Sequence, residues 1–190
     1  MPRRTFFSFH YKSDVSRAWV VRNSWVAKLA QGEREDAGFF DSSVFEAKER
    51  ESDDVLKRFL REGLNNMTVT CVLVGEQTAL RRWVRYEVLR SFMRGNGLLG
   101  IRIHSIPNLQ KKTSAAGPNP FDSLAFQIDG DRMRFQEYFT TGWGAARDVG
   151  SIPLAEVAYD LGRKENHTLA TLSQSMIGTP MTVITISVVG

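Results

Sequence analysis

Thr68-Val69-Thr70-Cys71-Val72-Leu73-Val74-Gly75 is an unbroken run of β-branched and apolar residues. A strand with one wet face alternates apolar and polar side chains, so a run without alternation needs cover on both faces. That requirement constrains the rest of the chain, because two-sided cover comes from helices that cross over a parallel sheet. The neighbouring segments offer such partners. Arg4 to Phe9 is short and β-rich, and Asp14 to Leu29 places Val15, Ala18, Trp19, Arg22, Trp25, Val26 and Leu29 at helical spacing. Gly38-Phe39-Phe40-Asp41 reads as a very short second strand. Ser52 with Asp53 and Asp54 reads as a helix N-terminus, and Val55, Leu56, Phe59, Leu60 and Leu64 form the apolar face behind it. A helix carrying Trp83 and Glu87 follows the central strand and ends near Gly95, and Leu98 to His104 reads as the next strand. Alternation of this kind predicts an α/β domain with a parallel sheet and helices on both faces.

Beyond His104 the pattern loosens. Asn108 to Pro120 reads as a polar surface loop. Ser123 to Ile128 and Arg132 to Tyr138 suggest a hairpin about Asp129-Gly130-Asp131. Thr141 to Gly144 reads as a turn, Leu154 to Leu161 as a short helix, and Thr182 to Val189 is β-branched.

A length of 190 residues suits one domain with an extension. No stretch approaches the roughly 18 uninterrupted apolar residues of a membrane helix, and the first residues lack the apolar core of a secretion signal. With Cys71 the single cysteine, an intrachain disulfide is excluded. A cytoplasmic protein with a buried core thiol is the expectation. The formal charge of +4 permits an anionic partner. No nucleic-acid-binding motif accompanies it, so no nucleic-acid partner is expected. Arg81, Arg82, Arg85, Arg90 and Arg94 are read as a solvated helix face.

In a doubly wound sheet, ligands sit beyond the carboxyl ends of the strands where the strand order reverses. Phe9 and His10 follow the first strand, Asp41 the second, and Gly75 to Trp83 the third. Trp83 and Glu87 lie four residues apart, on one face of their helix. A flat aromatic beside an acid suits a ligand with a ring and hydroxyls. Taken alone, the same spacing is better explained by a packing aromatic and a carboxylate paired with Arg90 or Arg94. Asp41 could instead cap its segment, and Phe9 could belong to the core. Several site types are excluded. Neither a GxxxxGK[ST] nor a GxGxxG pattern is present, and the acidic residues of a phosphoacceptor receiver are missing after strands one and three. His10, His104 and His167 are too scattered for a metal site, and no GxSxG elbow exists.

Several ordered blocks resemble one family. They are Arg4 to Tyr11, Val20 to Trp25, Gly63 to Asn66 with Val69 to Gly75, Arg81 to Glu87, and Gly117 to Asp122. Together they resemble the TIR-like ThsB subunits of the bacterial Thoeris anti-phage system, over residues 3 to 140. The resemblance implies a flavodoxin-like TIR fold with a five-stranded, mainly parallel sheet over residues 1–140, and a C-terminal extension over 141–190. It also implies an enzyme that splits the nicotinamide–ribose bond of NAD, with NAD as substrate and no other cofactor. Trp83 and Glu87 match the family's WxxxE motif, Glu87 as the catalytic acid. Phe9, His10, Asp41 and Trp83 are the expected substrate-binding residues. The implied product is a cyclic or conjugated ADP-ribose signal that activates a partner effector after phage infection. A phage-derived trigger, such as a phage protein, and self-association are further implied partners. A non-enzymatic TIR adaptor and a deoxyribosyltransferase-like enzyme of similar fold are the alternatives.

Overall fold

The computed structural model describes residues 4–26, 37–38, 48, 50–139, 142–156, 166–168 and 184–187. The apolar run that demands double cover becomes strand β3 (Val69–Val74), and Cys71 to Leu73 are fully buried in it. On one side β3 pairs in parallel with β1 (Thr5–Ser8), on the other with β4 (Gly97–Arg102). The two-residue β2 (Ala37–Gly38) continues the parallel sheet beyond β1. The terminal strand β10 (Ile184–Ser187) continues it beyond β4. Between these come helices α1 (Tyr11–Val26), α2 (Asp53–Gly63) and α3 (Arg82–Met93). The expected α/β class with a parallel sheet is the class observed. From β1 the chain steps outward to β2, then returns to the opposite side of β1 to lay down β3. The order therefore reverses between β1 and β3, and their carboxyl ends open the crevice where such folds place ligands.

Local chemistry explains the helix boundaries. Ser52 caps α2, its Oγ accepting the Val55 N–H at 3.2 Å, with Asp53 and Asp54 complementing the positive end of the helix. Leu56 and Leu60 then fall on the buried face. Helix α1 starts three residues before the expected Asp14, because the His10 carbonyl accepts the Asp14 N–H at 3.0 Å and makes His10 the cap. Trp25 and Val26 lie at its end, and the expected continuation to Leu29 falls outside the described residues. So do residues 39–41 of the expected second strand.

A second, antiparallel sheet follows. The Asp129-Gly130-Asp131 turn joins β5 (Leu124–Asp129) to β6 (Arg132–Phe139), as read from the sequence. The expected turn at Thr141 to Gly144 is instead occupied from Gly142 by β7 (Gly142–Ala145), whose Trp143 pairs with Tyr138. Two-residue periodicity is unreadable in a Gly-Trp-Gly-Ala segment with only two side chains larger than hydrogen. Short strands β8 (Ile152–Pro153) and β9 (Asn166–Thr168) pair with β6 and β5. Leu154–Glu156 form a single 3-10 turn at the start of the expected short helix.

Helix α3 lies between the two sheets. Its Val88, Leu89 and Phe92 share one core with Leu73 of β3 and with Phe126 and Phe135 of the second sheet. Phe92 stacks on Phe126 at 5.8 Å and meets Phe135 edge-on at 6.0 Å. The arginines read as a solvated face are divided by this arrangement. Arg82 and Arg85 reach carboxylates of the second sheet that are themselves buried, Asp148 and Glu137. Local sequence shows only the arginines, since their partners arrive more than fifty residues later. Among the described residues no helix is long and apolar enough to cross a membrane.

Candidate functional site

Ser8 ends β1, and its Oγ donates a hydrogen bond to Oε2 of Glu87 on α3. The two side chains thus meet beneath the crevice between β1 and β3. Both are closed off, Ser8 at 1% exposure and Glu87 at 5%. Burial pushes the Glu87 carboxyl up to about 8, and the Ser8 hydrogen bond opposes that shift by favouring the charged form. Glu87 is also fixed through its backbone. Ser91 Oγ lies 2.7 Å from the Glu87 carbonyl and 2.7 Å from Thr70 Oγ1 of β3. Contacts from two strands therefore hold one residue of α3.

Trp83 lies one helical turn earlier and is half-buried against the core. The Arg82 guanidinium sits 4.4 Å from its ring centroid, and Tyr86 meets it edge-on at 5.9 Å. Arg82 is in turn held by Asp148, Nε to Oδ2 at 2.6 Å and Nη2 to Oδ1 at 2.7 Å, while Lys57 Nζ stands 2.9 Å from Oδ1. The fork of hydrogen bonds with Arg82 holds the Asp148 carboxyl down at about 2 despite its burial. A segment after β7 thereby clamps the first turn of α3 to α2.

His10 is half-buried, its Nδ1 2.7 Å from Ser13 Oγ. Ser13 Oγ gives its one proton to Asp14 Oδ2 at 3.0 Å, so it accepts from His10 Nδ1–H, which leaves Nε2 with the free lone pair. Burial, helped by the nearby charge of Arg81 and opposed by Asp14, lowers the His10 pKa and keeps the ring neutral. Asp14 pairs with Arg17 at 3.0 Å, both almost fully buried. Arg17 also donates to the Ser13 carbonyl of α1 at 3.1 Å and to two loop carbonyls, Ile106 at 2.8 Å and Lys112 at 3.1 Å.

Asn108 to Pro120 is a largely exposed surface loop, as expected, and it is anchored at its Lys112 carbonyl and at Gly117. A Cβ on Gly117 would stand 2.2 Å from the Gly75 carbonyl oxygen, and one on Gly75 would stand 2.2 Å from Asp14 Oδ2. At Gly117 backbone meets backbone, at Gly75 the Asp14 carboxylate lies against the Cα, and only hydrogen fits at either. The loop after β4 is seated on the carboxyl edge of β3.

The structure brings Glu87, Trp83 and His10 to one edge of the sheet. Phe9 is 4% exposed and packs on Tyr11 at 4.4 Å, within the core and with no open face. Asp41 lies outside the described residues. Sequence reasoning missed Ser8, Asp14, Arg17 and Asp148. Ser8 had a signal, a lone hydroxyl among Phe6, Phe7 and Phe9, and Asp14–Arg17 a helical three-residue spacing. Asp148 had none, being 66 residues from Arg82. Among the described residues no group of His, Cys, Asp or Glu could hold a metal ion.

Comparison with known proteins agrees with this arrangement. Residues 6–108 match the family model described as "Thoeris protein ThsB, TIR-like domain". A protein of Bacillus cereus (strain MSX-D12), named "Putative cyclic ADP-D-ribose synthase ThsB1", is 41% identical over 175 residues, 90% of each chain. The family match runs from within β1 through β3 and the helix that carries Trp83 and Glu87. The chain belongs to the Thoeris ThsB family of TIR-like proteins.

Proposed function

We propose that this chain consumes NAD, breaking the bond between nicotinamide and ribose to make a cyclic or conjugated ADP-ribose signal. The observation that carries the proposal is a buried carboxylate, Glu87, at the reversal point of the sheet and one turn from Trp83. The name of the Bacillus cereus relative supports the cyclic product. When the C1′–N bond breaks, its electron pair leaves with neutral nicotinamide and the ribose becomes oxocarbenium-like. A carboxylate removed from water stabilises that positive charge far better than one in solvent. Free Glu87, with its pKa at about 8, holds its proton at neutral pH. The cationic nicotinamide ring of arriving NAD favours the ionised form.

Trp83 is the stacking platform that folds the substrate so that a hydroxyl of the adenosine, rather than water, attacks C1′ and gives up its proton. Near-attack geometry of that kind contributes about 7–11 kcal/mol to such a preference. His10 binds substrate through its free Nε2. Asp41 keeps a substrate-binding role on its place after the second strand, and Phe9, closed off in the described conformation like Glu87, takes one when the crevice opens. Glu87 is closed off in the described conformation, so catalysis requires the crevice to open, which self-association after a phage-derived trigger would bring about. The signal then activates a partner effector.

The test is nucleotide analysis by mass spectrometry of cells expressing wild type or Glu87→Gln, with and without phage, alongside purified protein incubated with NAD. Loss of both nicotinamide release and messenger in a folded Glu87→Gln variant is expected. Messenger formation by that variant refutes the assignment. A wild type that never consumes NAD, yet still protects cells, supports the adaptor reading instead.

A further inference from the structure

Ser8 occupies a place where a hydroxyl is costly. It closes a strand whose Thr5, Phe6 and Phe7 are all buried, and it is 1% exposed itself. An alanine would fill that position without the desolvation of a polar group. The hydroxyl is satisfied across 79 residues of sequence by one oxygen of Glu87. We propose that Ser8 is a positioning residue for Glu87: its hydroxyl holds one carboxylate oxygen and leaves the other to face the ribose. The inference rests on the NAD-cleaving reading for its consequence, but its geometry does not.

Three features support it. Ser8 reaches Glu87 from β1, whereas the Glu87 backbone is held from β3 through Ser91 and Thr70. The carboxylate therefore has a fixed origin, and the Ser8 bond fixes its remaining torsions. Second, an O–H donor stabilises a carboxylate more than a carboxylic acid, so the bond favours the form that catalysis uses. Third, the influences on Glu87 are burial and this hydroxyl. The Ser8 bond is the one that favours ionisation. The charged residues beside Glu87 on α3, Arg85 and Arg90, are occupied elsewhere, Arg85 with Glu137 and Arg90 with the Met93 sulfur.

The experiment compares wild type, Ser8→Ala, Ser8→Cys and Ser8→Thr by two readouts. The first is the 13C shift of the Glu87 carboxyl through a pH titration, assigned with Glu87→Gln. The second is the pH dependence of kcat for nicotinamide release. Removing a hydrogen bond to a charged group should raise the Glu87 midpoint by about one to two pH units, a tenfold to hundredfold loss of turnover on the acid limb. Nicotinamide release should fall through kcat with KM little changed. Ser8→Thr, which keeps the donor, should restore the midpoint. If Ser8→Ala does not fold, the near-isosteric Ser8→Cys, a weaker donor, carries the comparison. An unmoved carboxyl midpoint in a folded variant overturns the inference. The carboxyl titration needs no turnover, so a shifted midpoint in a protein that never consumes NAD refutes the function while upholding the role of Ser8.

Discussion

Replacing Glu87 with glutamine should remove a loss of stability that grows with rising pH. The carboxyl is raised from 4.5 to about 8 by burial. An acid held neutral in this way binds its proton more tightly in the folded chain than in the unfolded one. Its contribution is complete below pH 4.5 and is lost as pH rises through about 8. At about 1.4 kcal/mol per unit, the span amounts to ~5 kcal/mol as an upper value, since water entering the crevice would relieve part of it. For a chain of this size, each kcal/mol moves the melting temperature by about 2–4 °C. Glutamine is neutral at every pH, nearly isosteric with the protonated acid, and still accepts from Ser8. The assay is thermal unfolding of both proteins from pH 5 to 9. The curves should lie close together at pH 5 and separate steadily, with the variant higher by up to about 10–20 °C at pH 8.5. Other groups titrate identically in both proteins and cancel in the difference. Curves that stay parallel across the range refute the argument that burial controls Glu87.

The remaining predictions concern the clamp, the loop and the platform. Asp148→Asn should cost about 2–3 kcal/mol in urea unfolding near neutral pH, because Arg82 and Lys57 lose the carboxylate they share. The sign with pH is opposite to that of Glu87, since a depressed carboxyl stabilises above its unfolded value of 3.8 and that stability is lost as pH falls through about 2. Gly117→Ala forces a methyl onto the Gly75 carbonyl. It should cost about 1–3 kcal/mol and speed proteolysis within residues 108–117, measured by limited digestion. Trp83→Ala should cut the ratio of cyclised product to free nicotinamide by about tenfold before it halves NAD consumption, read by chromatography of both products.

How much of this was legible beforehand depended on the range of each interaction. The run 68–75, the Ser52 cap and the hairpin at Gly130 are local devices, and each one appears where the residues place it. Strand order brought Trp83, Glu87 and His10 to one edge before any coordinates. Whether Phe9 was core or pocket wall could not be read, because a four-residue strand buried at every position has no alternation to interpret. The arginines of α3 misled for a related reason. A charged residue looks solvated until its counter-charge is known, and Asp148 and Glu137 come from a sheet whose docking depends on Phe92, Phe126 and Phe135. Seating of the 108–120 loop depended on two glycines whose meaning is visible only when the backbones touch.

The placement of α3 between two sheets also sets the order in which the molecule is completed. Helix and first sheet can form once residue 102 has been made, yet Arg82 then has Asp53 but not Asp148, Arg85 lacks Glu137, and Phe92 lacks Phe126 and Phe135. Those arrive with residues 124–148, and the last edge of the parallel sheet arrives with β10. Closing such distant contacts is entropically slow. A chain still on the ribosome therefore holds an unfinished Glu87 helix. The chemistry proposed for it becomes possible only once residues 124–148 have joined α3.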